Sequence, residues 1–258
     1  MNASIAALYG YPIKGFSPQP LACATLAAGQ TFPGDRRFAV EDGPSGFDPA
    51  APVFIPKQKF AVLAKIAEVA GVRTQLDPTT LLLNARAQGA EDFNGRLTDT
   101  ADQSAFAGWL TDVLGDAADG PLRLIDGAGH HFTDHPIGQV SIINLASLRD
   151  LESRMQKPVD PMRFRANIYL EGLEPWAEMD WLDQSVALGE AVGTVFSTTI
   201  RCAATTVNPA TALRDLEVPA ALHEFYGHVV CGVYLKVTQG GLISVGDPVR
   251  RAASDVLA

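Results

Sequence analysis

Short apolar runs, each closed by glycine or proline, follow one another along this chain and limit the folds it can adopt. The last of them, VVCGVYLKVTQGGLISVGDPV, holds two β-type segments that meet at Gly240 and Gly241, a spacing typical of a β-hairpin. Runs of the same kind cover residues 4–13, 19–30 and 34–42. Short strands separated by such turns predict a small sheet or a barrel in the first part of the chain.

Helical spacing interrupts this β-rich pattern at three places. Between residues 100 and 115, Phe106 and Leu110 recur at helical intervals, and Gly115 is a suitable helix end. QVSIINLASLRDLESRM is typical of a strand followed by a helix, and LEVPAALHEF of a short helix. Further strands are predicted in VRTQLDPTTLLLNA (a hairpin around Asp77-Pro78), RFRANIYLEG and VALGEAVGTVFSTTIRC. The pattern predicts an α+β, β-barrel-rich fold with helices inserted between strands.

Length, charge and missing motifs exclude several classes of protein. A chain of 258 residues has room for one or two domains, and its formal net charge of −9 disfavours nucleic acid as a partner. No apolar run reaches the roughly 18 residues that a membrane helix needs. MNASIAALYGYPIKG shows no secretory signal, and no Walker A, Rossmann or GxSxG motif is present. We therefore expect a cytoplasmic protein with no membrane partner.

The three cysteines are far apart, which argues against a disulfide framework and against an iron–sulfur cluster. Cys23 and Cys231 lie in apolar stretches and are predicted to be core residues. Cys202 differs, because TTIRCAATTVNP places it directly after Arg201, where a strand enters a loop. Positive charge nearby favours a thiolate, so Cys202 is the candidate reactive residue, with a buried structural cysteine as the alternative.

Basic residues embedded in strand-like segments form a second signal. The planar fork of arginine suits phosphate and carboxylate groups, and in an acidic protein such residues indicate one concentrated anion site. The alternative is that each basic residue pairs with a nearby Asp or Glu. The residues concerned are Lys14, Arg36, Arg37, Arg163, Arg165 and Arg201.

Two polar stretches offer other kinds of site. HHFTDHP contains His131 and His135 four positions apart, but the proline that follows argues against helical presentation to a metal, and a solvent-facing loop is predicted. LEPWAEMDW contains paired carboxylates of the kind used in acid–base catalysis. Here they predict an exposed acidic face anchored by Trp176 and Trp181.

Five segments in order, YPIKG, DRRF, RFRANIYLEG, RCAATTVNP and GLISVGDPV, resemble the motifs of MOSC proteins, whose domain is similar to the C-terminal part of molybdenum-cofactor sulfurase. Residues 1–124 resemble the N-terminal β-barrel domain that precedes MOSC in one branch, and residues 125–258 resemble the MOSC β-barrel domain with its inserted helices. That branch includes the mitochondrial amidoxime-reducing component and its bacterial relatives. The resemblance implies a bound molybdenum cofactor and reduction of N-hydroxylated compounds.

Motif by motif, the resemblance also implies roles for residues. Cys202 matches the cysteine that ligates molybdenum in the family. Gly15 and Phe16 follow the YPIK lysine where the family has Ser and Cys, which removes a hydroxyl that could bind the cofactor phosphate, and FRAN replaces FRPN. The residues that match those holding the pterin and phosphate are Lys14, Arg36, Arg165 and Asn167, with Arg201 as a further candidate.

The resemblance therefore implies a molybdenum-cofactor-dependent reductase of N-hydroxylated or N-oxygenated small molecules. Because the chain has too few cysteines for a cluster and no nicotinamide or flavin fingerprint, we expect electrons from a separate ferredoxin- or flavoprotein-type donor. One alternative is a carrier, in which Cys202 holds a persulfide or a cofactor in transit without turnover. Another is an acidic interaction module in which Cys202 is only packed.

Overall fold

The computed structural model describes residues 3–135, 137 and 140–251. Over these residues the chain forms fifteen β-strands and three α-helices. The first eight strands are β1 (Ser4–Gly10), β2 (Gln19–Leu21), β3 (Cys23–Leu26), β4 (Phe38–Asp42), β5 (Arg73–Leu76), β6 (Leu82–Arg86), β7 (Phe93–Arg96) and β8 (Leu122–Asp126). The others are β9 (Val140–Asn144), β10 (Ile168–Glu171), β11 (Ser185–Leu188), β12 (Ala191–Ile200), β13 (Val230–Gln239), β14 (Gly241–Ser244) and β15 (Val249–Arg251). The helices are α1 (Thr100–Leu114), α2 (Leu145–Met155) and α3 (Val218–Tyr226).

Eight strands form one curled sheet in the order β15-β11-β12-β13-β9-β10-β1-β2. Neighbouring strands are antiparallel except β9 and β10, which are parallel. Val233, Leu235 and Val237 alternate along β13 and are buried, because successive side chains of a strand point to opposite faces. The remaining strands form the smaller sheets β3-β14, β4-β8 and β5-β6-β7. The predicted α+β, β-barrel-rich fold is confirmed.

The large sheet includes strands from both sides of the predicted domain boundary after residue 124. β1 pairs with β10, with Ile5 opposite Leu170. In a smaller sheet β3 pairs with β14, with Leu26 opposite Gly241. The start of the chain thus completes the large sheet, which is built mostly from the second half, and supplies one strand of the β3-β14 sheet. The division into 1–124 and 125–258 stays a prediction.

Helix α1 forms as its sequence predicts. The Asp99 carboxylate caps its first turn by accepting the N–H groups of Ala101 and Asp102. Gly115 closes the helix with a positive φ of 50°. Phe106 and Leu110 are buried, in the core that α1 shares with β7 and β8. This core lies on one side of the site described below.

Strand pairing departs from prediction at the C-terminal end. β13 and β14 meet near Gly240 as expected, but they do not pair with each other: β13 pairs with β12 and β9, whereas β14 pairs with β3. Residues 19–30, predicted as one strand, divide into β2 and β3, which lie in different sheets. In RFRANIYLEG only β10 is strand, since Arg165 has a left-handed backbone (φ 53°) after a 3-10 turn. The β5-β6 hairpin around Asp77-Pro78 is confirmed.

Three further predictions concern the burial of single side chains. Cys231 is fully buried as predicted, but Cys23 is exposed, because it lies on the outer face of β3. The exposed acidic face predicted in LEPWAEMDW is wrong at Glu178, which is fully buried. Its carboxylate accepts hydrogen bonds from Asn144 Nδ2 (3.0 Å) and Ser147 Oγ (2.9 Å). Burial raises the pKa of Glu178, and these hydrogen bonds join the start of α2 to the 3-10 turn that follows β10.

In the part of the chain that the structure describes, none of the helices has the length and apolar character needed to cross a membrane.

Candidate functional site

A cavity of about 410 Å³ lies between the end of β12 and loops from the first half of the chain. Its wall includes side chains from both halves, among them Val62 and Leu63 from one and Phe164 and Tyr234 from the other. All six residues assigned by the motif resemblance line it: Lys14, Arg36, Arg165, Asn167, Arg201 and Cys202. The fold therefore brings these distant segments to one place.

The cavity wall is strongly basic in a chain whose net charge is −9. Among the described lining residues, Asp134 is the one carboxylate. A concave surface lined by one sign of charge concentrates its field and attracts the opposite charge. The basic lining residues are Lys14, Arg36, Lys57, Arg163, Arg165 and Arg201.

Two arginines flank one tyrosine ring at the cavity. The guanidinium carbons of Arg36 and Arg165 lie 5.2 Å and 4.4 Å from the ring centroid of Tyr11. Both arginines have left-handed backbones (φ 51° and 53°), a conformation that non-glycine residues seldom adopt. The Asp35 carboxylate accepts the Tyr11 N–H at 2.7 Å and also pairs with Arg36. Burial raises the pKa of Tyr11 to about 12, so its ring is a neutral cation–π platform.

Lys14 is a nearly buried ammonium group on the loop after β1. Its Nζ donates to the carbonyl of Phe132 at 2.9 Å and to the carboxylate of Asp134. Burial lowers the pKa of Lys14, and the Asp134 charge only partly opposes this effect. Burial also tends to raise the pKa of Asp134, but the charges of Lys14 and Arg36 outweigh it and hold that pKa below its usual range. Asp134 is therefore held as a carboxylate, and both side chains line the cavity.

Lys57 is a site residue that the sequence analysis missed. It begins a short 3-10 turn after the Pro-rich segment and lines the same cavity as Cys202. Burial tends to lower the pKa of Lys57, but Asp134 and Cys202 outweigh this and raise it. Its neighbours in the sequence, IPKQK, give no motif, so only the fold shows that an ammonium group reaches the cysteine.

Cys202 lies where the sequence predicts, in the loop that follows β12, and is partly exposed. Its carbonyl accepts hydrogen bonds from the N–H and the hydroxyl of Thr205 (3.0 and 2.9 Å), which hold the loop in a 3-10 turn. Cys231, by contrast, is sealed in the core, and burial raises the pKa of its thiol to about 12. Of these two cysteines, only Cys202 can present sulfur to the cavity.

Arg201 is directed away from its neighbour in the sequence. Its Nε and Nη1 donate to the carbonyls of Cys231 and Phe164, both at 2.8 Å. This placement depends on Gly232, where a Cβ atom would lie 3.1 Å from Arg201 Nη2 and 2.4 Å from a backbone oxygen. Arg201 thus ties β12 to β13 and to the 3-10 turn before Arg165, and it is Lys57 that brings positive charge to Cys202.

Asn167 also has structural partners. Its Oδ1 accepts from Ser141 Oγ at 2.8 Å, and its Nδ2 donates to the Tyr9 carbonyl at 3.2 Å. The side chain therefore joins β1, β9 and the start of β10 at the cavity wall, two positions from Arg165.

Three polar atoms in the cavity wall indicate what kind of group suits it. Among the described residues, Arg165 Nη2, Thr199 Oγ1 and Arg163 Nε are buried without a hydrogen-bond partner. All three residues line the cavity. A buried donor left unpaired costs free energy, so an acceptor-rich group in the cavity would stabilise these side chains.

The histidine-rich loop faces solvent only in part: Asp134 and Ile137 are exposed, whereas Phe132 and Thr133 are buried. His131 Nδ1 contacts the carbonyl of Asp35, and His135 lines the cavity with its ring against Phe196 and Tyr234. Pro136 falls outside the described residues. Over the described part of the chain, no group of three or more His, Cys, Asp or Glu residues is arranged to hold a metal ion.

Gly15, which stands where the resembled family has serine, is required by its own backbone. Its φ is +90°, and a Cβ atom there would lie 2.9 Å from the carbonyl oxygen of Ala61. We expect Gly15→Ala to lower the free energy of unfolding by about 1–3 kcal/mol, through backbone strain and this contact. Gly29→Ala is the matched control, because Gly29 also has a positive φ (+72°) but no atom within 4 Å of its Cβ position.

Urea denaturation of the three proteins checks this expectation. The loss should be larger at Gly15 than at Gly29. Equal losses in the two variants would contradict a role for the close contact with Ala61.

Comparison with known protein families gives two matches. A profile described as "MOSC N-terminal beta barrel domain" matches residues 2–134, and one described as "MOSC domain" matches residues 128–250. Together they cover nearly the whole chain, and their order is the order expected from the sequence motifs.

Curated relatives match over part of the chain. The chain is 32% identical over 120 residues to "Mitochondrial amidoxime-reducing component 1" of Mus musculus, which covers 42% of this chain and 35% of that protein. It is 34% identical over 124 residues to the Xenopus laevis protein of the same name (43% and 36%). It is 32% identical over 124 residues to "Mitochondrial amidoxime reducing component 2" of Rattus norvegicus (43% and 36%). The matched segment spans about a third of each relative.

Solved structures give more distant likenesses. YUAD protein from Bacillus subtilis covers 96% of this chain and 94% of its own, at 12% identity and a TM-score of 0.42. YiiM from Geobacillus stearothermophilus covers 46% of this chain and 56% of its own, at 24% identity and a TM-score of 0.36.

Proposed function

This chain belongs to the MOSC family, and from that premise we propose that it binds a molybdenum cofactor in the cavity and reduces N-hydroxylated compounds. The names of its curated relatives, amidoxime-reducing components, support the reaction class. Since those matches cover about a third of each relative, the activity proposed here rests on the cavity as well as on the relatives.

One observation carries the proposal: a partly exposed cysteine shares a basic cavity with a buried arginine whose Nη2 atom has no partner. A phosphate-bearing pterin would supply the acceptors that Arg165 and Thr199 lack. Arg36 and Arg165, held against Tyr11, would receive the anionic end of the cofactor, with Lys14 beside them. When bound, the cofactor would supply two-electron redox chemistry at its metal.

The cysteine loop is suited to present a sulfur ligand. A thiolate is the metal-binding form of cysteine, and the Lys57 side chain lines the same cavity as Cys202. Sulfur is a soft ligand, and the turn made by Thr205 holds the Cys202 backbone in place. Asn167 and Arg201 act on this site indirectly, by joining the strands that carry it.

The electrons would come from a separate protein, because the chain shows no cluster or flavin motif. With molybdenum bound, the purified protein should reduce an amidoxime when reduced methyl viologen is supplied. NADH alone should give no turnover. The protein is to be expressed in a host that makes the cofactor, its metal content measured by elemental analysis, and product formation followed by chromatography.

Each outcome of that assay has a meaning. Molybdenum with viologen-driven turnover supports the reductase. Molybdenum without turnover favours the carrier, in which Cys202 holds cofactor or sulfur in transit. A protein without molybdenum from such a host would contradict both. Turnover with NADH alone, in a preparation free of other proteins, would contradict the separate donor.

A further inference from the structure

An aliphatic side chain lies at the opening of the cavity, whereas charged side chains line its interior. Ile200, the last residue of β12, lines the cavity and yet has 71% of its surface exposed. A residue with both properties lies at the mouth. Its neighbour Thr199 is buried, as the alternation of a strand requires, and Cys202 follows two positions later.

Single exposed apolar side chains are common on protein surfaces and need no explanation. Ile200 differs because it lines the cavity, whose wall also contains the buried apolar residues Leu63 and Phe164. Two other segments of the wall also carry exposed apolar residues close by in the chain. Phe54 precedes Lys57 by three positions, and Ile137 follows His135 by two.

The charged part and the apolar part of the cavity wall suit two different ligands. The arginines on Tyr11 and the buried Lys14 are suited to an anion, which the proposed cofactor provides. Because Ile200 is an exposed lining residue two positions before Cys202, a substrate that approaches Cys202 from solvent would pass it. Its N-hydroxyl group would point towards Cys202, and its carbon substituent would then lie against the exposed isoleucine, whose burial is favourable.

We infer that Ile200 is a specificity residue that selects N-hydroxylated substrates carrying an aryl or branched alkyl group over those carrying a small one. This inference rests on the proposed function for the orientation of the substrate. Its test is binding, so that it does not depend on turnover.

Two probes isolate the contribution of the substituent: an amidoxime bearing a phenyl group and one bearing a methyl group in its place. Their dissociation constants are measured by calorimetric titration into the protein as purified from a cofactor-producing host, with no electron donor. Wild type should prefer the phenyl compound by about tenfold or more, the discrimination an apolar pocket achieves. Ile200→Ser should lose most of that preference, and Ile200→Phe should keep it.

Leu242→Ser is the matched control, since Leu242 is an exposed aliphatic residue of β14 outside the cavity wall. Its preference should equal that of wild type. The inference is overturned if wild type shows no preference, or if Ile200→Ser keeps it in full. Melting curves of all variants verify that they are folded, which is expected at so exposed a position.

The same proteins, given reduced methyl viologen, separate this inference from the proposed function. A phenyl preference that depends on Ile200, with neither compound reduced, would support the binding site and contradict the reductase. If both compounds are reduced and Ile200→Ser keeps the phenyl preference, the reductase is supported and the role of Ile200 as a specificity residue is contradicted.

Discussion

Replacing Cys202 by serine is expected to lower reductase turnover by more than about a hundredfold, since loss of even an outer-shell partner of a metal costs 10–100-fold. The change is nearly isosteric, and Cys202 is partly exposed, so the melting temperature should stay close to that of wild type. Serine oxygen is a harder ligand than sulfur and a poorer match for a soft-ligand site. X-ray absorption at the molybdenum edge should show one sulfur neighbour fewer.

Cys231→Ser is the matched control, and it should behave in the opposite way. Cys231 is fully buried, and burial raises the pKa of its thiol to about 12. A serine hydroxyl there is buried among apolar side chains and should cost about 1–3 kcal/mol of stability. That corresponds to roughly 2–4 °C in melting temperature per kcal/mol for a chain of this size. The sulfur shell of the metal should be unchanged.

The pair of variants distinguishes a ligand from a packing residue. An unchanged sulfur shell together with retained turnover in Cys202→Ser would show that Cys202 is only packed. Loss of a sulfur neighbour in Cys231→Ser would place the ligand in the core, contrary to the geometry of the cavity.

The double variant Arg36→Ala, Arg165→Ala should be isolated with little molybdenum. A charge-assisted hydrogen bond contributes about 1.5–3 kcal/mol, which is about tenfold or more in affinity for each arginine. Both guanidinium groups lie on the Tyr11 ring and line the cavity, so the two losses fall on the same end of the ligand. Elemental analysis after expression in a cofactor-producing host measures the occupancy.

Arg37→Ala controls for the removal of an arginine in the same segment. Arg37 follows Arg36 in the chain but pairs with Asp126 at 2.8 Å and does not belong to the cavity wall. Its occupancy should match wild type. Lysine at positions 36 and 165 should restore only part of the occupancy, because it lacks the planar fork. Full occupancy in the double alanine variant would contradict the assigned anion end.

Several features of the fold were predictable from local sequence because they depend on local physics. Helix α1 is marked by the spacing of Phe106 and Leu110 and by Gly115, each of which acts within a few residues. The β5-β6 hairpin likewise depends on the turn at Asp77-Pro78. The motif resemblance located six residues that the structure brings to one cavity wall, although nothing in their spacing along the chain implies that they are close.

Strand pairing and side-chain burial were harder to predict from the sequence, because they depend on which other segments pack against each strand or side chain. β13 and β14 look like a hairpin in sequence, yet their partners come from elsewhere in the chain, including β3 near its start. Cys23 is predicted to be buried and is exposed, whereas Glu178 is predicted to be exposed and is buried. Cys23 lies on the outer face of a strand, and Glu178 is buried because Asn144 and Ser147 satisfy its carboxylate.

The chemistry around Cys202 illustrates the same division. The sequence predicts that Cys202 follows a strand and stands next to an arginine. The structure confirms that Cys202 follows β12. The tertiary structure decides which cation interacts with Cys202. Arg201 donates to the carbonyls of Cys231 and Phe164, whereas Lys57 lies about 145 positions earlier in the chain. A side chain's charge acts through space, over a few ångströms, so the neighbour that matters is set by the fold and not by the order of residues.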